Sequence, residues 1–248
     1  MIDQKSIAAW FLRTAIHNHT AAIVLAAGSS TRMGANLNKQ MQKVGGIPVL
    51  ARTLMAYQKC ALIREIVVVA QPKDFDAIYQ MRKAYGIQKM THIVAGGATR
   101  QQSAKNGMSK LSDRVKYVAI ADGARCLITP EQVTKVCLRA YRYQAASAAH
   151  QISDTVKRTN SVGMSLETLD RKNLWQAQTP QIFHHSLYIA AMARAESDDF
   201  TATDDNALVE HLGYQVRMVE CGRENIKITT VDDLLLAEAI LMCRRAGK

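Results

Sequence analysis

Gly28-Ser29-Ser30-Thr31-Arg32-Met33 follows, after Ala27, on the apolar run Ala22-Ile23-Val24-Leu25-Ala26, and Lys39 stands just beyond it. Small residues after a strand let backbone N–H groups close around an anion. Arg32 offers a planar cation for bidentate phosphate binding, and Lys39 a point charge on a flexible stem. The loop is not a Walker loop, which needs GxxxxGK and then Ser or Thr. Nor is it a dinucleotide fingerprint, because GxGxxG is missing. From these residues alone, an anion cradle and an ordinary strand-to-helix turn with two surface cations both remain open. Asp122 ends another apolar run, Tyr117-Val118-Ala119-Ile120-Ala121. Ligands in open parallel sheets lie beyond such strand ends, although turn aspartates are also common there. Lys227 by itself reads as a strand-end surface lysine and Arg171 as a solvated one.

Charge narrows the partners. The 32 Lys and Arg against 21 Asp and Glu give a formal net charge of +11, which attracts anions. No zinc-finger spacing, helix-turn-helix pattern or aromatic ribonucleoprotein motif accompanies it. A phosphorylated small molecule therefore accounts for the bias, and no nucleic-acid partner is expected. The five cysteines (Cys60, Cys126, Cys137, Cys221, Cys243) are scattered, without a CxxC pair or zinc-ligand spacing, so reduced structural thiols are expected. His184 and His185 are adjacent and point apart, and no protein metal ligand is expected. No run of roughly 18 apolar residues occurs, so no membrane partner is expected. The apolar stretch Ile7 to Leu12 is short for a signal peptide; residues 1–20 read as an extension, and the chain as cytoplasmic.

These residues need a frame. The two runs above, with Glu65 to Ala70 and His92 to Ala95, are β-branched-rich and nearly continuous, the pattern of strands buried on both faces of a parallel sheet. Between and after them, Pro48 to Cys60, Pro72 to Tyr85, Arg100 to Leu111 and Pro130 to Tyr143 have helix length and spacing. The alternation predicts an α/β fold with a doubly wound, mostly parallel sheet. The rhythm changes after about Ala149. Asp154 to Arg158 and Leu166 to Arg171 read as two limbs of an arm spanning about residues 153–172. Helices are predicted at Ser186 to Ala195 and Asp204 to Leu212, and a strand at Gln215 to Cys221. A last helix is predicted from Val231, capped by Thr230 and Asp233. Residues 21–248 are read as one domain carrying that arm.

The motifs occur in a telling order. Ala26-Ala27-Gly28 with Arg32-Met33 and Lys39-Gln40 resembles the AAGxGxRM…PKQ signature of sugar-phosphate nucleotidyltransferases. Gly96-Gly97-Ala98-Thr99-Arg100-Gln101-Gln102-Ser103 resembles the GGxxRxxS element of their cytidylyltransferase branch, and Asp122-Gly123-Ala124-Arg125 its DAAR. Asp154 to Lys157, Leu174 to Phe183, Thr203-Asp204-Asp205 and Asn225 to Thr229 complete the series. Each is weak alone, but the ordered set is similar to the 2-C-methyl-D-erythritol 4-phosphate cytidylyltransferase family.

That resemblance implies a Rossmann-like nucleotidyltransferase that uses CTP, with Mg²⁺ held mainly by the CTP phosphates, and a small polyol phosphate as acceptor. It implies a homodimer joined through the arm. Ala26, Ala27, Gly28, Arg32 and Lys39 would hold the triphosphate, and Gly97 and Ser103 would read the cytosine. Asp122 would lie near the ribose and the incoming phosphate, and Arg125 near the acceptor. Thr155 and Arg171 would reach the neighbouring subunit's site, Thr203 would touch the acceptor, and Lys227 would reach the α-phosphate. Arg32, Lys39 and Lys227 would stabilise the transition state. The chain departs from the pattern at Ser30 (usually Gly), Asn38 (Pro), Ala98 (often polar), Gly123 (Ala) and Cys126 (Pro). Ribitol-5-phosphate cytidylyltransferase shares the N-terminal motifs, and a weakened paralogue serving as a binding protein is the other reading that Ser30 and Asn38 leave open.

Overall fold

The computed structural model describes residues 17–28 and 38–247. Arg32 and Ser30 fall in the segment 29–37 and, like residues 1–16 of the expected extension, lie outside the described residues. β1 (Thr20–Leu25) enters the main sheet, and β2 (Lys43–Val44) with β3 (Ile47–Pro48) makes a small hairpin. Then come α1 (Val49–Lys59), β4 (Ile63–Ala70), α2 (Phe75–Ala84), β5 (Met90–Ala95), α3 (Arg100–Met108), β6 (Tyr117–Asp122) and α4 (Pro130–Tyr143). The second half supplies β7 (Ala145–Gln151), β8 (Lys157–Thr159), β9 (Ser165–Thr168) and β10 (Trp175–His184). It ends with α5 (His185–Ser197), α6 (Asp205–His211), β11 (Arg217–Glu220) and α7 (Val231–Arg245).

The seven-stranded sheet runs β11-β7-β10-β6-β1-β4-β5. Its pairs are parallel except those of β10, which lies antiparallel between β6 and β7. On one face Leu50, Leu54 and Tyr57 of α1 join Val133 and Val136 of α4 over β1, β4 and β6. On the other, Leu187 and Tyr188 of α5 and Leu208 and Val209 of α6 cover Ile23, Val118 and Ile120. Each large apolar side chain buried this way contributes roughly 1.5–3 kcal/mol. Both covers hold the sheet rigid, and its carboxyl edge is where β1, β4, β5 and β6 deliver their next residues.

The expected elements in the first half are present, with one correction. β5 is not buried on both faces: it is the edge strand, paired with β4, and Thr91, His92 and Ala95 are exposed. β7 and β10 were not expected. β7 is alanine-rich and β10 carries Pro180 and three glutamines, so neither presents a β-branched run. The limbs of the arm are shorter than expected. They pair as β8 and β9 in a sheet of their own, and Arg171 falls instead in a short 3₁₀ turn, Arg171–Asn173. The capping boxes of α4 (Thr129 with Gln132) and α7 (Thr230 with Asp233) are both formed.

Candidate active site

At the carboxyl ends of β1, β4, β5 and β6 lies a cleft of about 480 Å³ lined by Ala27, Gly28, Lys39, Gly97, Ser103, Asp122 and Lys227 among others. Seven of the expected site residues thus meet in one place. Ala26 sits just beneath, buried, with its N–H donated to the Val69 carbonyl (2.7 Å), so it extends the strand rather than facing the cleft.

One wall is the loop from β5 to α3. A Cβ on Gly96 would stand 2.3 Å from the Ala27 Cβ, and one on Gly97 2.2 Å from the Gln102 Cγ. Both positions therefore exclude a side chain, and the backbone comes up against the β1 loop. The Gly97 N–H donates to the Ser103 Oγ (3.0 Å), which donates in turn to the Thr99 carbonyl (2.9 Å). One lone pair of that hydroxyl is left for a donor such as an exocyclic amine. Thr99 caps α3, its side chain accepting the Gln102 N–H.

The opposite wall is cationic. Lys227 Nζ lies 3.1 Å from Asp122 Oδ2, and Arg125 Nε lies 3.3 Å from the same oxygen. Burial works against ionising Asp122, but the charges of Lys227, Arg125 and Arg100 outweigh it and hold the carboxyl below its ordinary value of 3.8. The segment around Lys227, between β11 and α7, is fixed by several hydrogen bonds. Ile228 N–H donates to the Ala124 carbonyl (2.8 Å). Asn225 Nδ2 donates to Gln178 Oε1 (2.9 Å) and the Thr179 carbonyl (3.1 Å), and Arg125 Nη1 donates to the Asn225 carbonyl (2.7 Å). Arg125 is thus turned inward as a brace and is not among the cleft-lining residues. Gln178 and Thr179 come from the stretch of β10 where its register with β7 is interrupted. Free of the ladder, Thr179 Oγ1 accepts the Asp122 N–H (2.9 Å).

Two departures from the family pattern have a structural account. Where proline is usual, the Asn38 side chain accepts the Gln40 N–H (3.1 Å) and donates to Asp74 Oδ1 (3.0 Å), so hydrogen bonds restrain the approach to Lys39 in place of a ring. Cys126 is buried among Val44, Val49, Leu127 and Ile228, and burial pushes its thiol up to about 11; it packs as a small apolar group. Thr155, Arg171 and Thr203 are exposed and do not line the cleft. Arg171 Nη1 donates to the Ser153 carbonyl, which closes the base of the arm. Gln40, Gln71, Thr99 and Arg100 also line the cleft and were not singled out as site residues. The strand-end rule points to Gln71, directly after β4, whose Nε2 donates to the Ala27 carbonyl (3.1 Å).

Comparisons with known proteins identify the family. The family model for 2-C-methyl-D-erythritol 4-phosphate cytidylyltransferase matches residues 20–243. An enzyme of that name from Caldanaerobacter subterraneus subsp. tengcongensis is 40% identical over 225 residues, covering 90% of this chain and 99% of its own. The one from Syntrophus aciditrophicus is 43% identical over 221 residues, covering 89% and 94%. The crystal structure of 4-diphosphocytidyl-2C-methyl-D-erythritol synthase from Anaerococcus prevotii DSM 20548 superposes with a TM-score of 0.83 at 29% identity, covering 93% of this chain and 99% of that one. The fold, the cleft at the sheet's carboxyl edge and these matches lead to one assignment: the chain belongs to the 2-C-methyl-D-erythritol 4-phosphate cytidylyltransferase family.

Proposed function

We propose that the chain transfers CMP from CTP to 2-C-methyl-D-erythritol 4-phosphate with release of pyrophosphate, and that it does so in the cleft above β1, β4, β5 and β6. The observation that carries this is the division of that cleft. Gly97 and Ser103 form a wall suited to a base edge, and Lys39 and Lys227 supply cations at the phosphate side. The acceptor's phosphate oxygen is ionised at neutral pH, so its attack on the α-phosphorus needs no general base. What the protein supplies is alignment of two repelling anions and stabilisation of the charge that gathers at phosphorus. Lys227, aimed by Asp122, is assigned to the α-phosphate. Lys39, and Arg32 by its place in the motif, are assigned to the triphosphate with the backbone of Ala27 and Gly28.

Among the described residues no group of three or more His, Cys, Asp or Glu could hold a metal ion, and Asp122 is the one carboxylate lining the cleft. That donor set fits a Mg²⁺ that arrives on the CTP phosphates, where it would neutralise phosphate charge, with Asp122 able to add a ligand. The arm supports assembly as a homodimer with Thr155 and Arg171 acting in the neighbour's cleft: β8 and β9 are exposed throughout and stand apart from the main sheet. Five free cysteines suit a reducing compartment, which supports placement in the cytoplasm. The test is pyrophosphate release with CTP, Mg²⁺ and each polyol phosphate in turn. Release with methylerythritol phosphate is expected. Release only with ribitol 5-phosphate, or with neither acceptor, overturns the reading.

A further inference from the structure

We infer that Arg100 is a positioning residue that couples the nucleotide-reading loop to the turn bearing Thr203, through its ion pair with Asp205. The inference rests on the function proposed above and on the acceptor contact that the family resemblance implies for Thr203. Arg100 is the first residue of α3, directly behind the Gly96–Gly97 loop, and its side chain lines the cleft. Its Nη1 nevertheless donates to Asp205 Oδ2. Asp205 is 1% exposed and does not line the cleft.

Asp205, the first residue of α6, and its neighbours are held by several hydrogen bonds. Tyr188 OH donates to Asp205 Oδ1 (2.6 Å). Gln181 Oε1 accepts the N–H groups of Asp205 (2.9 Å) and Asn206 (3.1 Å), and Gln181 Nε2 donates to Asp204 Oδ2 (2.7 Å). Asn206 Nδ2 donates to Ser147 Oγ (3.0 Å). Thr203 is exposed at the entry to this segment. These partners belong to β7, β10 and α5, whereas Arg100 ties the turn to the loop that meets the base. A buried carboxylate deprived of its cation is strongly disfavoured, so the β5–α3 loop is held in register with the segment that bears Thr203. Ordering of the β5–α3 loop by CTP is then transmitted to the acceptor side, and the acceptor returns the same coupling.

The experiment compares wild type, Asp205→Asn and the double variant Arg100→Met/Asp205→Asn in steady-state kinetics with both substrates, each with its melting temperature. Asp205→Asn keeps the shape and the Tyr188 hydrogen bond. It is expected to raise KM for the polyol phosphate by at least about fivefold while KM for CTP stays near wild type. The double variant is expected to be no worse than the single. A second readout is acceptor affinity with and without the non-reactive α,β-methylene analogue of CTP. The analogue is expected to tighten acceptor binding in wild type and to lose that effect in Asp205→Asn. If Asp205→Asn matches wild type and the double variant raises KM for CTP alone, Arg100 is a direct nucleotide contact and the inference fails. A fall in melting temperature with no split between the two KM values assigns the pair to the fold alone and also overturns it. An inactive wild type would instead remove the proposed function.

Discussion

Lys227 and Asp122 face each other at 3.1 Å, yet neither residue announces itself. A lysine after a strand and an aspartate at a turn are ordinary, and only their meeting across about a hundred residues of chain makes a site. Lys227→Ala is expected to lower kcat by on the order of 10²–10³. Its melting temperature should fall at neutral pH, because Asp122 loses one of its cations, while the fold should persist, because Arg125 stays beside Asp122 and the backbone around position 227 is held by Asn225, Ile228 and Arg125 rather than by the lysine. Near-normal turnover would remove Lys227 from the chemistry. The same pair sets a pH dependence. The folded-state value of Asp122 is depressed below 3.8, so its contribution to stability is fully present above about pH 4 and fades as pH falls through the folded value. Lys227→Met takes away one of the charges responsible. The acid limb of a plot of melting temperature against pH is expected to move to higher pH, and an unmoved limb would mean that Lys227 does not hold Asp122. The supporting residues Gln178, Thr179 and Asn225 could not be read from the sequence as a positioning set. Their roles depend on an interruption of β10 that frees Gln178 and Thr179 to meet Asn225 and the Asp122 backbone, and no periodicity records that.

The elements were legible in proportion to how apolar they are. β1, β4 and β6 are buried on both faces and read as continuous runs, and the amphipathic stripe of α4 fixed its ends at Pro130 and Tyr143. β7 escaped because alanine has little strand preference, and β10 because Pro180 and its glutamines mark a turn more readily than a central strand. That irregularity is functional support, and Thr179→Val tests it. Losing the acceptor for the buried Asp122 N–H should cost roughly 1–3 kcal/mol of stability, measurable by urea unfolding; no loss would show that the N–H finds another partner. The glycine wall makes a sharper demand. Gly96→Ala places a methyl where Ala27 already stands, so the β1 and β5 loops must part. A KM for CTP raised at least about tenfold is expected, since displacements on the ångström scale cost affinity of that order or more. An unchanged KM would mean that the contact between the two loops does not shape the nucleotide site.

At the scale of the whole molecule, the cleft beyond the sheet gathers the residues proposed to hold the nucleotide, whereas Thr155 and Arg171, proposed to grip the acceptor, lie out on the arm and do not line the cleft. The arm cannot be there for its own stability. A two-stranded hairpin alone is marginal in water, and Val162, Met164 and Leu166 are 79%, 66% and 63% exposed. An arm with apolar side chains at its tip and Arg171 at its base has the character of a part that docks onto another copy, and a two-fold axis would exchange arms between equivalent sites. Mixing two disabled chains tests this without a structure of the pair. In a heterodimer of Arg171→Ala and Lys227→Ala chains, exchanged arms put the intact Arg171 beside the intact Lys227 in one site and both defects in the other. Random pairing makes half of the dimers mixed, with one working site in two, so co-expressed chains should recover about a quarter of wild-type activity although each variant alone is nearly inactive. If each arm serves its own subunit, every site in the mixture keeps one defect, and activity stays at the level of the separate variants.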